Sequence, residues 1–175
     1  MSTLGLVRRA AGSRRTLGGS RNARPGTCAA LVVAALLING CASAPKPTPL
    51  TGELRASANI NPSVSQRPSP LLVRVYELKS ATAFNSADFV SLYQNDQATL
   101  GAEMVAREEI TLNPKESRPW ARTASPETRF IGVLGAFRDL DHAKWRSVLA
   151  LQPGQRQRVV ISADTLAIAI TAITE

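Results

Sequence analysis

Phe130-Ile131-Gly132-Val133-Leu134-Gly135-Ala136-Phe137 is the stretch that decides the fold. Eight consecutive residues carry no charge and no hydrogen-bonding side chain, so both faces of the segment are apolar. That is the pattern of a strand buried on both sides at the centre of a sheet. Upstream, Leu71-Leu72-Val73-Arg74-Val75-Tyr76-Glu77-Leu78 reads as a second strand. Residues 53–60 alternate strictly: Leu54, Ala56, Ala58 and Ile60 face one way, and Glu53, Arg55, Ser57 and Asn59 the other. A period of two predicts a half-buried strand there. Further strands are predicted over residues 107–112, 118–123, 144–151, 156–162 and 165–172. In the last of these Leu166, Ile168 and Ile170 give one apolar face. Asn113-Pro114, Ser125-Pro126 and Gln152-Pro153-Gly154 punctuate the series as turns.

Between the second and third strands lies a helical insertion over about residues 85–105. Asn85 or Ser86 can cap a short helix in which Phe89, Leu92 and Tyr93 share a face, and Asp96 can cap a further turn carrying Leu100 and Met104. Seven to eight short strands at this spacing predict an all-β chain, a two-sheet β-sandwich with one small helical excursion. No internal repeat interrupts it.

The first 40 residues have a different character. They hold Arg8, Arg9, Arg14, Arg15, Arg21 and Arg24 and no Lys, Asp or Glu, and residues 28–38 are an uncharged apolar run ending before Asn39-Gly40-Cys41. The run is too short for a bilayer span, which needs about 20 apolar residues, and has the form of a secretory signal. Ile38-Asn39-Gly40-Cys41 reads as a lipobox: Gly40 lets a peptidase approach the backbone, and Cys41 becomes the lipidated first residue of the mature chain. Ser13-Arg14-Arg15-Thr16-Leu17 matches a twin-arginine export signal only in part and lies far from the apolar run. The basic region is long for such a signal, which leaves the start codon open.

Removing residues 1–40 takes six of the 21 basic residues and none of the 13 acidic ones, so the net charge falls from +8 to near +2. The basic balance therefore does not point to nucleic acid. Of the two cysteines, Cys28 leaves with the signal and Cys41 is consumed by lipid, so no disulfide, redox pair or thiol nucleophile remains. Residues 42–50, Ala-Ser-Ala-Pro-Lys-Pro-Thr-Pro-Leu, read as a proline-rich tether, with the sandwich following over residues 51–175. In polyproline geometry, at about 3.1 Å per residue, that tether spans up to roughly 30 Å. Ala42, rather than Asp, after the lipidated cysteine favours transfer to the outer membrane under the usual lipoprotein sorting rule.

Groups for catalysis are scarce. The single histidine, His142, sits in Arg138-Asp139-Leu140-Asp141-His142, and no second His or Cys completes a zinc site. There is no Gly-x-Ser-x-Gly elbow, no phosphate-cradling glycine loop and no cofactor motif. Glu108 and Glu109 are neighbours on a strand and point to opposite faces. Trp120 and Trp145 read as packing residues, and Arg156 and Arg158 as one polar strand face, with membrane phosphate as a further possible contact.

In order along the chain, several stretches resemble the TssJ (VasD-like) lipoproteins of the bacterial type VI secretion system. They are Asn59-Ile60-Asn61-Pro62, Arg67-Pro68-Ser69-Pro70-Leu71, Val73-Arg74-Val75-Tyr76-Glu77-Leu78-Lys79, Phe84 to Phe89 with Leu92, Ile131-Gly132-Val133 to Phe137-Arg138, and Trp145-Arg146. Leu112-Asn113-Pro114 stands where members often have Pro-Gly, which alters one turn. The resemblance implies a transthyretin-like sandwich, no enzymatic activity, an outer-membrane lipid anchor through Cys41 and a periplasmic location. The implied partner is the periplasmic C-terminal region of the inner-membrane protein TssM. Its contact region maps here to the loop formed by Asn61, Pro62, Ser63, Val64, Ser65, Gln66, Arg67, Pro68 and Ser69.

The residues support that mapping in part. Three prolines in residues 61–70 stiffen the loop, so less entropy is lost on docking, while Arg67 offers a multi-donor head and Val64 an apolar contact. The competing reading is a periplasmic lipoprotein that binds a sugar, a peptidoglycan fragment or a small apolar ligand. It requires a concave pocket with convergent polar groups, whereas a tether requires a protruding loop.

Overall fold

The structure, a computed structural model, describes residues 46–173. The expected signal and Cys41 therefore lie outside the described residues. In chain order the elements are β1 (Thr48–Ala56), β2 (Leu71–Leu78), α1 (Thr82–Ser86), α2 (Phe89–Leu100), a 3-10 turn (Gly101–Glu103), β3 (Met104–Leu112), β4 (Ser117–Ala124), β5 (Phe130–Gly135), β6 (Arg146–Ala150), β7 (Gln157–Ala163) and β8 (Ile168–Ile173). Two four-stranded sheets result, ordered β4-β1-β7-β8 and β3-β2-β5-β6. Neighbours are antiparallel except β1 and β7, which run parallel. The predicted two-sheet sandwich with a helical insertion is the fold observed.

Two apolar clusters follow from strand alternation. Between the sheets lie Leu50 and Leu54 of β1, Val73 and Val75 of β2, Trp120 of β4, Ile131 and Val133 of β5, Val159 and Ile161 of β7, and Ile168 and Ile170 of β8. On the outer face of the second sheet, Tyr76 and Leu78 of β2 and Leu134 of β5 meet Phe84, Leu92 and Leu100 from the helices. This is why the 130–137 stretch is apolar on both faces: β5 has a core on each side. Gly132 is part of the same fit, since a Cβ there would come within 3.1 Å of the Phe84 ring.

Several expected boundaries move. β1 begins at Thr48, so the last three residues of the predicted tether are strand, and the strand ends at Ala56 rather than Ile60. Leu50 extends the buried period of Leu54, and Pro49 lies one residue outside the β1–β7 ladder, which opens at Leu50↔Gln157. Pro49 is paired with Thr123 of β4 on one side only, an edge-like position that tolerates proline. Beyond Ala56 the chain turns, exposing Ala58 and returning Ile60 to the core. β5 stops at Gly135 and Phe137 packs from the following loop; β8 starts at Ile168, because residues 164–167 form a turn closed by Asp164 N–H donating to Ala167 O at 2.7 Å.

The cap of α2 is Asp88, not Asn85 or Ser86: Asp88 Oδ1 accepts from Ser91 N–H at 2.9 Å. Asn95 is non-helical inside α2, so a kink precedes Asp96; Leu100 lies in the second part as expected, but Met104, expected on the same turn, opens β3.

Gly52 makes a strong prediction. A Cβ at this β1 position would lie 1.7 Å from the Val159 carbonyl oxygen of β7, a backbone atom that cannot rotate away. Gly52→Ala therefore has to separate the two central strands of the first sheet. We expect a loss of about 3 kcal/mol or more of unfolding free energy, the upper end of overpacking costs, read as a lower urea midpoint.

The sheets are also joined by charge. Glu77 of β2 is 4% exposed. It pairs with Arg122 of β4 and accepts from Ser125 N–H at 2.9 Å and from Thr128 Oγ1–H at 2.7 Å; Arg122 also reaches Glu108 of β3 at 2.9 Å. Burial alone would raise the Glu77 pKa. The donors at Ser125, Arg122 and Thr128 outweigh it and hold the carboxyl below its usual 4.5. Asp96 is likewise held down: burial opposes, but Arg107 at 2.6 Å and Tyr76 Oη–H at 3.2 Å favour the carboxylate.

Folded values below unfolded ones mean that both carboxylates stabilise the fold fully above the ordinary carboxylate pKa. Their contribution fades as pH falls through the lowered folded values. The urea midpoint should therefore hold from pH 7 to about 5 and drop below about pH 4. Glu77→Gln should cost about 3 kcal/mol at pH 7 and flatten that acid decline.

Candidate functional site

Strand register sorts every connection to one of two poles. β1 enters at Thr48, opposite Ala124, and leaves at Ala56, opposite Ala163. The entry pole carries residues 46–47, both ends of the β2–β3 connection with its helices (79–103), the β4–β5 turn (125–129) and the β6–β7 turn (151–156). There Gly154 N–H donates to Thr48 Oγ1 at 2.9 Å. The exit pole carries the β1–β2 loop (57–70), the β3–β4 turn (113–116), the β5–β6 connection (136–145) and the β7–β8 turn (164–167). Eight residue steps of β1 at about 3.3 Å separate the poles by roughly 26 Å.

The β1–β2 loop is braced against all three of its neighbours. Lys115 N–H donates to Ser57 O at 3.1 Å, Asn61 N–H to Thr165 O at 3.0 Å, and Arg138 N–H to the Asn61 Oδ1 at 2.8 Å. Asn61 Nδ2–H reaches across the loop to Pro70 O at 2.8 Å, and Ser69 N–H donates to Ile60 O at 3.1 Å. Asn61 is 4% exposed and has φ +47, a left-handed conformation that Asn tolerates better than most residues. Its side chain is used inside the chain, as a clamp on the loop base.

Above the clamp, residues 63–67 close on themselves. Ser63 N–H donates to Arg67 O and Gln66 N–H to Ser63 O, each at 2.8 Å, with Gln66 at φ +60; Arg67 N–H donates to Ser63 Oγ at 3.2 Å. This closure holds Val64 out at full exposure, 105% of its reference area, with Ser65, Gln66, Arg67 and Pro68 exposed beside it. Pro62, Ser63 and Ser69 are half-buried supports. The nine predicted residues thus divide into one buried clamp, three supports and five outward-facing positions. Only Asn-Pro at the loop start hinted at the clamp; its acceptor role toward Arg138, 77 residues on, left no local signal.

Other sequence candidates fall elsewhere. His142 Nδ1 lies 2.8 Å from Asp139 Oδ1 on an exposed bend of the exit pole, and hydrogen bonding to that carboxylate raises the imidazole pKa. No metal-ligating cluster occurs among the described residues. Glu108 and Glu109 do diverge, toward Arg122 and Arg74. Trp120 is buried between the sheets, and Trp145 packs edge-on against Phe89 with ring centroids 5.4 Å apart. On the outer face of the first sheet, an open groove of about 670 Å³ is lined by Thr51, Gly52, Gln152, Arg156, Gln157, Arg158, Ala172 and Ile173. Half of its lining is arginine or glutamine and only Ala172 and Ile173 are aliphatic, which is not the aliphatic or aromatic wall of a site for a small apolar ligand.

Architecture and surface together define the class: an eight-stranded β-sandwich with helices on one sheet and a braced, protruding loop at one pole. The T6SS-SciN model of type VI secretion lipoproteins (VasD, EvfM, TssJ) matches residues 48–166, and the chain belongs to that family. Members are structural lipoproteins of the secretion system, not enzymes.

The crystal structure of the type VI lipoprotein TssJ1 from Pseudomonas aeruginosa is 40% identical over 74% of this chain and 98% of its own, with a TM-score of 0.71. A chain of a structure described as a type VI membrane complex is 28% identical, with 72% and 98% covered and a TM-score of 0.59. A chain of a structure described as the TssM C-terminal domain from EAEC is 29% identical, with 71% and 99% covered and a TM-score of 0.55. No curated protein matches the chain.

Proposed function

We propose that this protein is the outer-membrane end of a type VI membrane complex. In this reading Cys41 carries the acyl anchor, the sandwich faces the periplasm, and the β1–β2 loop holds the periplasmic C-terminal region of a TssM-like inner-membrane protein. The observation that carries the reading is polar opposition. The chain arriving from Cys41 enters β1 at one pole, and β1 delivers the rigid loop at the other. A pull between membrane and partner would run along one strand, hydrogen-bonded on both sides by β4 and β7. Chains similar to this one in structures described as a type VI membrane complex and as a TssM C-terminal domain support the choice of partner.

Exposed Val64 and Arg67 are the groups a partner could desolvate, one apolar and one multi-donor. Val64→Asp combined with Arg67→Ala should weaken TssM capture by about 30-fold or more, the size of a hot-spot loss, with the melting temperature unchanged. Titration calorimetry against the TssM periplasmic region measures it. Unchanged affinity would move the contact to another connection of the same pole, such as residues 113–116 or 138–142.

A further inference from the structure

The groove on the first sheet lies beside the entry pole, on the side of the molecule where the acyl anchor would be. Arg156 and Arg158, two residues apart along one face, line it with Gln152, Gln157 and Thr51, and no carboxylate is among its lining residues. Between Ala143 and Ala163 the chain has no acidic residue at all. Arg156 is exposed and pairs with no carboxylate among the described residues; the Glu53 carboxyl, held below its usual pKa chiefly by hydrogen bonds from Arg55 and Ser117, also feels the charge of Arg158. Lys46, the first described residue, is exposed and sits against the same turn: a Cβ on Gly154 would be 3.5 Å from Lys46 Cβ. Five residue steps join Cys41 to Lys46, at most about 18 Å of extended chain.

We infer that Lys46, Arg156 and Arg158 with the adjoining groove form a docking surface for phospholipid phosphates of the membrane that holds Cys41, and that this contact sets the sandwich upright. The inference rests on the proposed anchor at Cys41. A tether alone fixes distance and leaves orientation free. Cations at the entry pole, each worth about 1 kcal/mol near an anionic surface, bias the entry pole toward the bilayer and so aim the β1–β2 loop away from it. The Gln152, Gln157 and Thr51 side chains add hydrogen-bond donors suited to phosphate oxygens. Chain reach selects a lipid surface over a soluble anion: Lys46 lies five residues from the proposed anchor, so the bilayer that holds Cys41 is within range of these cations.

The test uses the chain from residue 41 onward carrying Cys41→Ser, so that no acyl chain masks the contact. Co-sedimentation is measured with vesicles of phosphatidylethanolamine and one-third phosphatidylglycerol, and with phosphatidylcholine vesicles. At low salt the first should bind at least about 20-fold better, and 0.5 M salt should abolish the difference. Lys46→Gln with Arg156→Gln, both exposed positions, should lower anionic-vesicle binding by about 25-fold while leaving TssM capture at the opposite pole unchanged. Equal binding to both vesicle types, or anionic binding untouched by the double variant, would overturn the inference. So would loss of vesicle binding on adding 10 mM inorganic phosphate at matched ionic strength, which would mark a free-anion site instead. Acyl labelling of Cys41 in the parent protein is read separately, so the anchor and the docking surface fail independently.

Discussion

Cys41→Ser should leave the protein unlabelled by fatty acid and move it from the membrane pellet to the soluble periplasm. The expected effect is nearly complete, because in the proposed reading the acyl chains on Cys41 carry the attachment. Burial of acyl chains contributes about 0.8 kcal/mol per methylene; one chain alone would be marginal, and the several chains usual on a mature bacterial lipoprotein would hold essentially without exchange. Among the described residues no helix is long and apolar enough to cross a membrane. The cationic entry pole could add only about 2–3 kcal/mol of salt-sensitive attraction, far below what retention requires. Fractionation of the variant after a high-salt wash measures this. Protein that stays in the pellet and still takes up label would show that Cys41 is not the acceptor.

The structure also shortens the anchor. With β1 starting at Thr48, only residues 42–47 remain as spacer, about 20 Å in polyproline geometry instead of roughly 30 Å. Thr48 is itself buried and accepts from Gly154 N–H, so the spacer ends in a fixed point of the fold. If Cys41 is the anchor as proposed, the domain would be held near the bilayer, and the distance to be bridged toward the inner membrane would fall to the loop pole and its partner.

Much of this was legible in the sequence, for physical reasons that differ by region. The double-faced apolar run of β5 marked a central strand, and β2 and β7 were placed within a residue of their observed bounds. Pro47 and Pro49 concealed the start of β1, because proline composition signals a tether unless it is known that β4 alone pairs with Thr48 and Pro49 and that β7 joins one residue later. The α2 cap was misplaced because Asn85, Ser86 and Asp88 are all competent caps, and only packing of Phe84 and Phe89 against the sheet chooses among them. The loop was found as a segment, through its prolines and the family resemblance, but not its internal division. Burial of Asn61 depends on Arg138 and Thr165, far along the chain, and no local pattern encodes it; exposure of Val64 follows from the closure of residues 63–67. The Glu77–Arg122 link, spanning 45 residues between sheets, was invisible for the same reason.

Replacing residues 62–68 by a Gly/Ser linker of equal length should remove TssM capture altogether while the sandwich still melts cooperatively. The clamp at Asn61 and the returning strand at Leu71 stay in place, and no core side chain is deleted, since Ile60 and Leu71 flank the exchange. What is lost is the closed 63–67 turn that presents Val64 and Arg67. A floppy replacement must also be ordered on binding, at about 1 kcal/mol or more per residue.

The most direct measurement of the two-pole account is titration calorimetry of the parent and this loop-exchanged protein against the periplasmic C-terminal region of TssM. A saturable complex with the parent and no measurable heat with the exchanged loop is the predicted result. Equal affinity for both proteins would contradict the account.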